Sequence, residues 1–88
     1  MQLTRHAALR RAQRNFPLDI LQLIQAYGTP IHAHGALSLM MDDTAIDLAA
    51  EDDRRRRQSL RRYRGAYLIE GKNGAVVTVA RGHRRFRR

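Results

Sequence analysis

The sequence predicts an α+β domain in which two N-terminal helices precede a small antiparallel sheet of two hairpins, with a helical insertion between the hairpins. Three observations predict this class. Apolar residues recur at helical spacing near the N-terminus, they alternate along two later segments, and each alternating segment contains a turn signal. With 88 residues and no internal repeat, we expect 1–88 to form one domain, in which 81–88 is a basic tail.

The first helix is predicted from about Thr4 to Arg14. Thr4 is expected to cap it, because a threonine hydroxyl accepts a hydrogen bond from a free N–H group of the first turn. At about 100° per residue, four apolar side chains share one arc, which we expect to face the core. They are Ala8, Leu9, Ala12 and Phe16. A separate column on the adjacent arc contains His6, Arg10 and Arg14, spaced four residues apart.

The second helix and the first hairpin follow directly. Pro17 suits the first turn of a helix, Asp19 suits its positive N-terminal end, and Gly28 ends the segment. The segment's apolar residues recur every three or four positions, which predicts a packed helix. They are Leu18, Ile20, Leu21, Leu23, Ile24 and Tyr27. The next segment, IHAHGALSLMM, alternates on both sides of Gly35 and predicts a hairpin.

The helical insertion is the segment TAIDLAAEDDRRRRQSLRRYR. Its middle lacks an apolar residue, so we expect either one bent helix or two short helices with a break near Glu51. The acidic residues 51–53 precede arginines 55–57 by four positions, which is the favourable order for ion pairs within a helix. The closing segment AYLIEGKNGAVVTVA predicts the second hairpin, because Asn73 and Gly74 favour a tight turn.

Charge is the strongest feature of the composition. The chain has 17 lysine and arginine residues against 8 acidic ones, a net charge of +9, and Lys72 is its single lysine. Arginine grips phosphate with a planar fork, so this charge points to nucleic acid, to an acidic protein, or to both. The absence of cysteine excludes disulfides, thiolate zinc sites and cysteine nucleophiles. No segment predicts a membrane span or a secretion signal, and we expect a cytoplasmic protein.

Histidine and arginine together suggest RNA cleavage through the RNA's own 2′-hydroxyl. That reaction needs a base for the hydroxyl proton, an acid for the leaving 5′-oxygen and a cation for the charge at phosphorus. Histidine serves either proton transfer and arginine supplies the cation, so no metal or cofactor is required. The candidate catalytic residues are His6, Arg10, Arg14, His83 and Arg84. The two clusters converge only if the last strand lies beside the first helix; otherwise the column is a solvated helix face.

The remaining arginines predict an RNA-binding surface, because such a run tracks a phosphate backbone with salt-sensitive affinity. They are Arg54, Arg55, Arg56, Arg57, Arg61, Arg62, Arg85, Arg87 and Arg88. The alternative is that the run is a solvated face. His32 and His34 have the spacing of two zinc ligands on a strand, but no suitable third ligand is close in the sequence. We therefore predict two solvent-facing residues and no metal site.

Both ends of the chain resemble a family of small bacterial proteins, the domain of unknown function numbered four-two-five-eight. The resemblance rests on HAALRRAQRNFPLDILQLIQAYG at the start and on AYLIEGKNGAVVTVARGHRRFRR at the end; the segment from Asp42 to Arg64 matches only loosely. The family looks related to toxins of the RelE and BrnT type, which have a microbial-ribonuclease-like fold, cleave messenger RNA and are held by an acidic antitoxin. The resemblance carries over to His6, Arg10 and Arg14 from the opening and to His83 and Arg84 from the closing motif.

Three hypotheses follow. The first is a metal-independent endoribonuclease that acts as the toxin of a toxin–antitoxin pair, with RNA and an acidic antitoxin as its partners. The second is a non-enzymatic nucleic-acid-binding module, in which the arginines bind phosphate and the histidines are incidental. The third is an adaptor or regulator whose basic surface binds an acidic protein.

Overall fold

The structure, a computed structural model, describes residues 2–33 and 35–81. Four α-helices and four strands alternate as pairs along the chain, and a 3₁₀ turn at Arg61–Tyr63 follows the fourth helix. The helices are α1 (Arg5–Gln13), α2 (Leu18–Tyr27), α3 (Asp43–Ala50) and α4 (Arg54–Leu60). The strands are β1 (Thr29–Ala33), β2 (Ala36–Met40), β3 (Ala66–Glu70) and β4 (Val76–Arg81). The predicted α+β class is confirmed.

The four strands form one antiparallel sheet in the order β1-β2-β3-β4. The backbone carbonyl of Met41 accepts from Gly65 and its N–H donates to Ala66, so β2 and β3 pair although α3 and α4 intervene between them. A short parallel bridge between Leu3 and Val76 brings the segment before α1 beside the start of β4. A register shift interrupts the β3–β4 ladder between Ile69 and Glu70.

One face of the sheet carries the core. Leu39, Leu68 and Val79 lie opposite one another on neighbouring strands and are buried. They form a single cluster with buried residues of all four helices, including Leu21, Ile46 and Leu60. The helices that the structure describes therefore pack on the same face of the sheet.

The other face of the sheet is uncharged. A cross-strand row on it contains Ile31, Ser38, Ile69 and Thr78, because directly opposed residues of antiparallel strands share a face. Ile31, on the edge strand, is 55% exposed, and the other three are half-buried. An antiparallel sheet tolerates one face in water, although the outward residues are then usually more polar than these.

The arc predicted to face the core is confirmed at Phe16, which is 2% exposed, but it is wrong for its three residues on α1. Ala8 and Ala12 are exposed and Leu9 is 58% exposed, whereas Ala7 is completely buried. The reason is that α1 packs along β4, with Ala7 as the one buried residue of the helix. Arg10 and Arg11 on the same helix are half-buried, since the long stems of arginine can cover apolar surface. The Nε of Arg11 is itself buried and has no hydrogen-bond partner among the described residues.

The helical insertion contains two helices, with the break at Glu51 and Asp52. Both residues have left-handed backbone angles, with φ values of 52° and 67°. Asp42 caps α3 by accepting from the Ala45 N–H, and Asp53 caps α4 by accepting from the Arg56 N–H. No helix in 2–33 or 35–81 is long and apolar enough to cross a membrane.

Candidate nucleic-acid interface

The column predicted on α1 lies at the surface. Thr4 caps the helix as expected, its hydroxyl accepting from the Ala7 N–H at 3.2 Å. His6 and Arg14 are exposed and Arg10 is half-buried. Within the part of the chain that the structure describes, the side chains of these three residues make no hydrogen bond or ion pair. They are therefore available to an anionic ligand.

The last strand does lie beside the first helix, which is the condition for convergence of the two predicted clusters. The Thr4 N–H donates to the Val76 carbonyl at 2.9 Å, where β4 begins. At the other end of β4, Arg81 lies against Phe16, just beyond the end of α1. Arg81, the last described residue, therefore lies towards the Arg14 end of α1, while His6 lies towards the opposite end of this helix, which is about 13 Å long. The remaining predicted residues, His83, Arg84, Arg85, Arg87 and Arg88, fall outside the described residues, as does His34.

Arg81 forms a contact that the sequence did not predict. Its guanidinium lies 5.4 Å from the ring centroid of Phe16 and 5.5 Å from that of Tyr63, and Nη1 donates to the Arg62 carbonyl at 2.9 Å. The sequence placed this residue in the tail, whereas it is the last residue of β4. No local pattern could have revealed the contact, since the two rings come from segments far apart in the chain.

The arginines of α4 and the following turn divide into two groups. Arg57 pairs with Asp47 of α3 at 3.0 Å, and Arg64 pairs with Asp43 through two contacts of 2.9 and 3.0 Å. The other guanidiniums are exposed and have no carboxylate partner among the described residues. These five residues, hereafter the arginine surface, are Arg54, Arg55, Arg56, Arg61 and Arg62.

The predicted ion pairs within the arginine helix are absent from the described structure, and that prediction is wrong. Because the chain turns sharply at Glu51 and Asp52, the acidic residues and the arginines do not share one continuous helix. Asp53 instead accepts from the Arg56 backbone. The Glu51 carboxylate accepts from the Tyr27 hydroxyl at 3.3 Å.

A cleft between the two hairpin turns was also missed by the sequence reading. It has a volume of about 400 Å³, and its polar side chains are those of His32, Glu70 and Lys72. His32 faces Leu37, which in turn faces Glu70, so the three share the helix side of the sheet. Gln25 of α2 donates to Glu70 Oε2 at 2.8 Å. The alternating pattern around Gly35 could place His32 on a strand. It could not place Glu70 near His32, because that proximity depends on the pairing of β2 with β3.

Among the described residues, no group of three His, Asp or Glu side chains is arranged to hold a metal ion. Comparison with known proteins found no match: no family model, curated protein or solved structure matches this chain.

Proposed function

We propose that this protein is an endoribonuclease that cleaves RNA without a metal, acting as the toxin of a toxin–antitoxin pair with an acidic antitoxin. The observation that carries the proposal is the column on α1. His6, Arg10 and Arg14 lie at the surface beside β4 and have no side-chain partner in the described chain. A histidine and two arginines are the groups that 2′-hydroxyl chemistry uses. A RelE/BrnT-like arrangement forms part of this proposal and is supported by the α+β class.

In the proposed reaction, the 2′-oxygen attacks phosphorus and the bond to the 5′-oxygen breaks. His6 or His83 accepts the 2′-hydroxyl proton, and the other histidine protonates the leaving 5′-oxygen. Arg10, Arg14 and Arg84 contact the phosphate, where the extra negative charge develops. The products are a 2′,3′-cyclic phosphate and a 5′-hydroxyl end. The arginine surface holds the rest of the RNA strand.

Incubation of the purified chain with RNA in the presence of a chelator tests the reaction. We expect cleavage with 2′,3′-cyclic phosphate ends, and we expect His6→Ala to slow it by about 100-fold or more, the contribution typical of a general acid or base. Gln13→Ala, which changes another exposed residue of α1, should cleave at the wild-type rate. Intact RNA after incubation with the wild type would overturn the enzymatic proposal, and equal rates for His6→Ala and wild type would remove His6 from the site.

The second candidate function is non-enzymatic nucleic-acid binding, and the arginine surface is the observation that favours it. Five exposed guanidiniums without carboxylate partners provide affinity that needs no catalytic group. This candidate predicts salt-dependent RNA binding without cleavage. It also predicts that replacing Arg55 and Arg56 with alanine weakens binding, while His6→Ala leaves it unchanged.

A further inference from the structure

The cleft between the hairpin turns combines features of a ligand site. Its volume of about 400 Å³ falls in the range of small-molecule pockets. Leu37 provides an apolar floor in register between His32 and Glu70. Gly35, Gly71 and Gly74 line the cleft. Gly35 and Gly74 have left-handed backbones, with φ values of 77° and 83°, so both hairpins turn tightly and leave the space between them open.

Glu70 is an acidic residue of the cleft that forms no ion pair in the described structure. It is half-buried, yet it forms no ion pair among the described residues of a chain with net charge +9, and its one side-chain hydrogen bond comes from the Gln25 amide. An ionised carboxylate offers about four lone-pair sites, and the bond from Gln25 occupies one of them on Oε2. The amide therefore holds the carboxylate in place and leaves acceptor capacity that could serve a ligand with N–H donors.

The other two polar side chains of the cleft, those of Lys72 and His32, suit a phosphate group and a base. Lys72 supplies an ammonium group for a phosphate. Its Cε is 3.7 Å from the position that a Cβ on Gly35 would occupy, so the side chain extends across the cleft towards the first hairpin. The imidazole of His32 is exposed and has no partner in the described structure, and a histidine ring stacks on a base in single-stranded RNA recognition.

We propose that this cleft binds one unpaired guanine nucleotide of the RNA. Guanine presents two adjacent N–H donors, N1–H and the N2 amino group, to the two oxygens of Glu70. Its ring lies over Leu37 and His32, and its phosphate meets Lys72. Uracil, which offers a single N–H between two carbonyl oxygens, places acceptors against the carboxylate and is disfavoured. The site thus selects bases by the donor pattern of their Watson–Crick edge.

The cleft lies at the same end of the sheet as His6. The turn that contains Gly71 and Gly74 leads directly into Val76, whose N–H donates to the Gln2 carbonyl just before α1. Three strand spacings, about 14 Å, separate β1 from β4. One RNA strand of a few nucleotides can therefore contact both the cleft and the start of α1. The inference rests on RNA as the ligand in the proposed function, but it does not require cleavage.

Titration of the full chain with GMP and with UMP, followed by amide NMR shifts, tests the proposal. We expect GMP to bind at least about tenfold more tightly, as two charge-assisted hydrogen bonds require, with shifts centred on Leu37, Glu70 and Gly71. Glu70→Gln should remove this preference, because an amide NH₂ donor replaces one of the two acceptor oxygens. Lys72→Ala should lower the affinity for both nucleotides to the same extent. Asp19→Asn, an exposed carboxylate on α2, is the control with the same charge change.

Equal affinity for GMP, UMP and inorganic phosphate would overturn the proposal, because it would mean that the cationic surface attracts any anion. Unchanged preference in Glu70→Gln would overturn it as well, provided the variant has the wild-type circular dichroism spectrum. Loss of cleavage in the RNA assay has a different meaning. If RNA stays intact but GMP binds selectively, the enzymatic proposal fails and the guanine site stands; if RNA is cleaved but no nucleotide preference exists, the reverse holds.

Discussion

Arg81 joins three elements through one side chain. Its guanidinium lies over Phe16 and Tyr63 and donates to the Arg62 carbonyl, which ties the end of β4 to the turn after α4 and to the segment after α1. We expect Arg81→Ala to lower the free energy of unfolding by about 2 kcal/mol, the sum expected of two solvent-exposed cation–π contacts and one hydrogen bond. Urea denaturation measures the change. Arg62→Ala, which keeps the backbone carbonyl, should alter stability by less than about 0.5 kcal/mol, and an equal loss in both variants would contradict this role for Arg81.

Asp42 is the second residue with a defined structural role. One oxygen, Oδ1, accepts from the Ala45 N–H at 2.9 Å and from the Thr29 hydroxyl at 2.8 Å, so it both caps α3 and ties it to β1. We expect Asp42→Ala to cost about 1–2 kcal/mol, measured as a shift in the urea midpoint. Asp42→Asn retains an acceptor oxygen and should lose much less. If the two variants were equally unstable, the negative charge rather than the cap geometry would be the important property.

At the scale of single residues, the sequence predicted the contacts that depend on near neighbours. Thr4 could be assigned as a cap because the donor, the Ala7 N–H, lies three residues away. The contacts of Arg81 and the bond from Gln25 to Glu70 could not be predicted, because each joins segments that only the folded sheet brings together. The same limit applies to the candidate site: His6, Arg10 and Arg14 could be assigned to one column, whereas the cleft around Glu70 depends on strand pairing.

At the scale of elements, the pattern predicted where strands and helices occur better than it predicted which side of a helix is buried. Leu21 and Ile24 repeat along α2 and are buried as expected. In α1 the apolar arc is weak; the bridge at Leu3 and the packing of α1 on β4 orient the helix, and Ala7 is buried. A small residue allows close packing without standing out in a hydrophobic pattern.

The ion pairs between α3 and the α4 region limit how many arginines are free to bind an anionic ligand. Asp47 and Asp43 hold Arg57 and Arg64, and the carboxylates are largely exposed, with side-chain accessibilities of 65% and 73%. Replacing both carboxylates with asparagine should cost no more than about 1 kcal/mol of stability per pair. It should also release two guanidiniums, and under the proposed function this release tightens binding to single-stranded RNA.

The salt dependence of binding checks this release. The slope of log affinity against log salt concentration should steepen by about 0.7 for each added phosphate contact. Asp19→Asn combined with Asp52→Asn changes the net charge equally but removes neither ion pair, since neither residue pairs with an arginine in the described structure. If both double variants steepened the slope to the same extent, net charge alone would explain the effect.

At the scale of the whole molecule, the sheet separates the buried face from an uncharged face that the described helices leave open. Leu68 lies in the core at 0% exposure and Ile31 lies on the other face at 55%, although both are large apolar strand residues. Truncating Leu68 to alanine leaves a cavity beneath the helices and should cost about 2–5 kcal/mol. Ile31→Ala removes a side chain that is more than half exposed and should cost less than about 1 kcal/mol. Thermal or urea unfolding of the two variants under identical conditions checks the contrast; a loss at Ile31 comparable with that at Leu68 would mean that the open face is covered in solution.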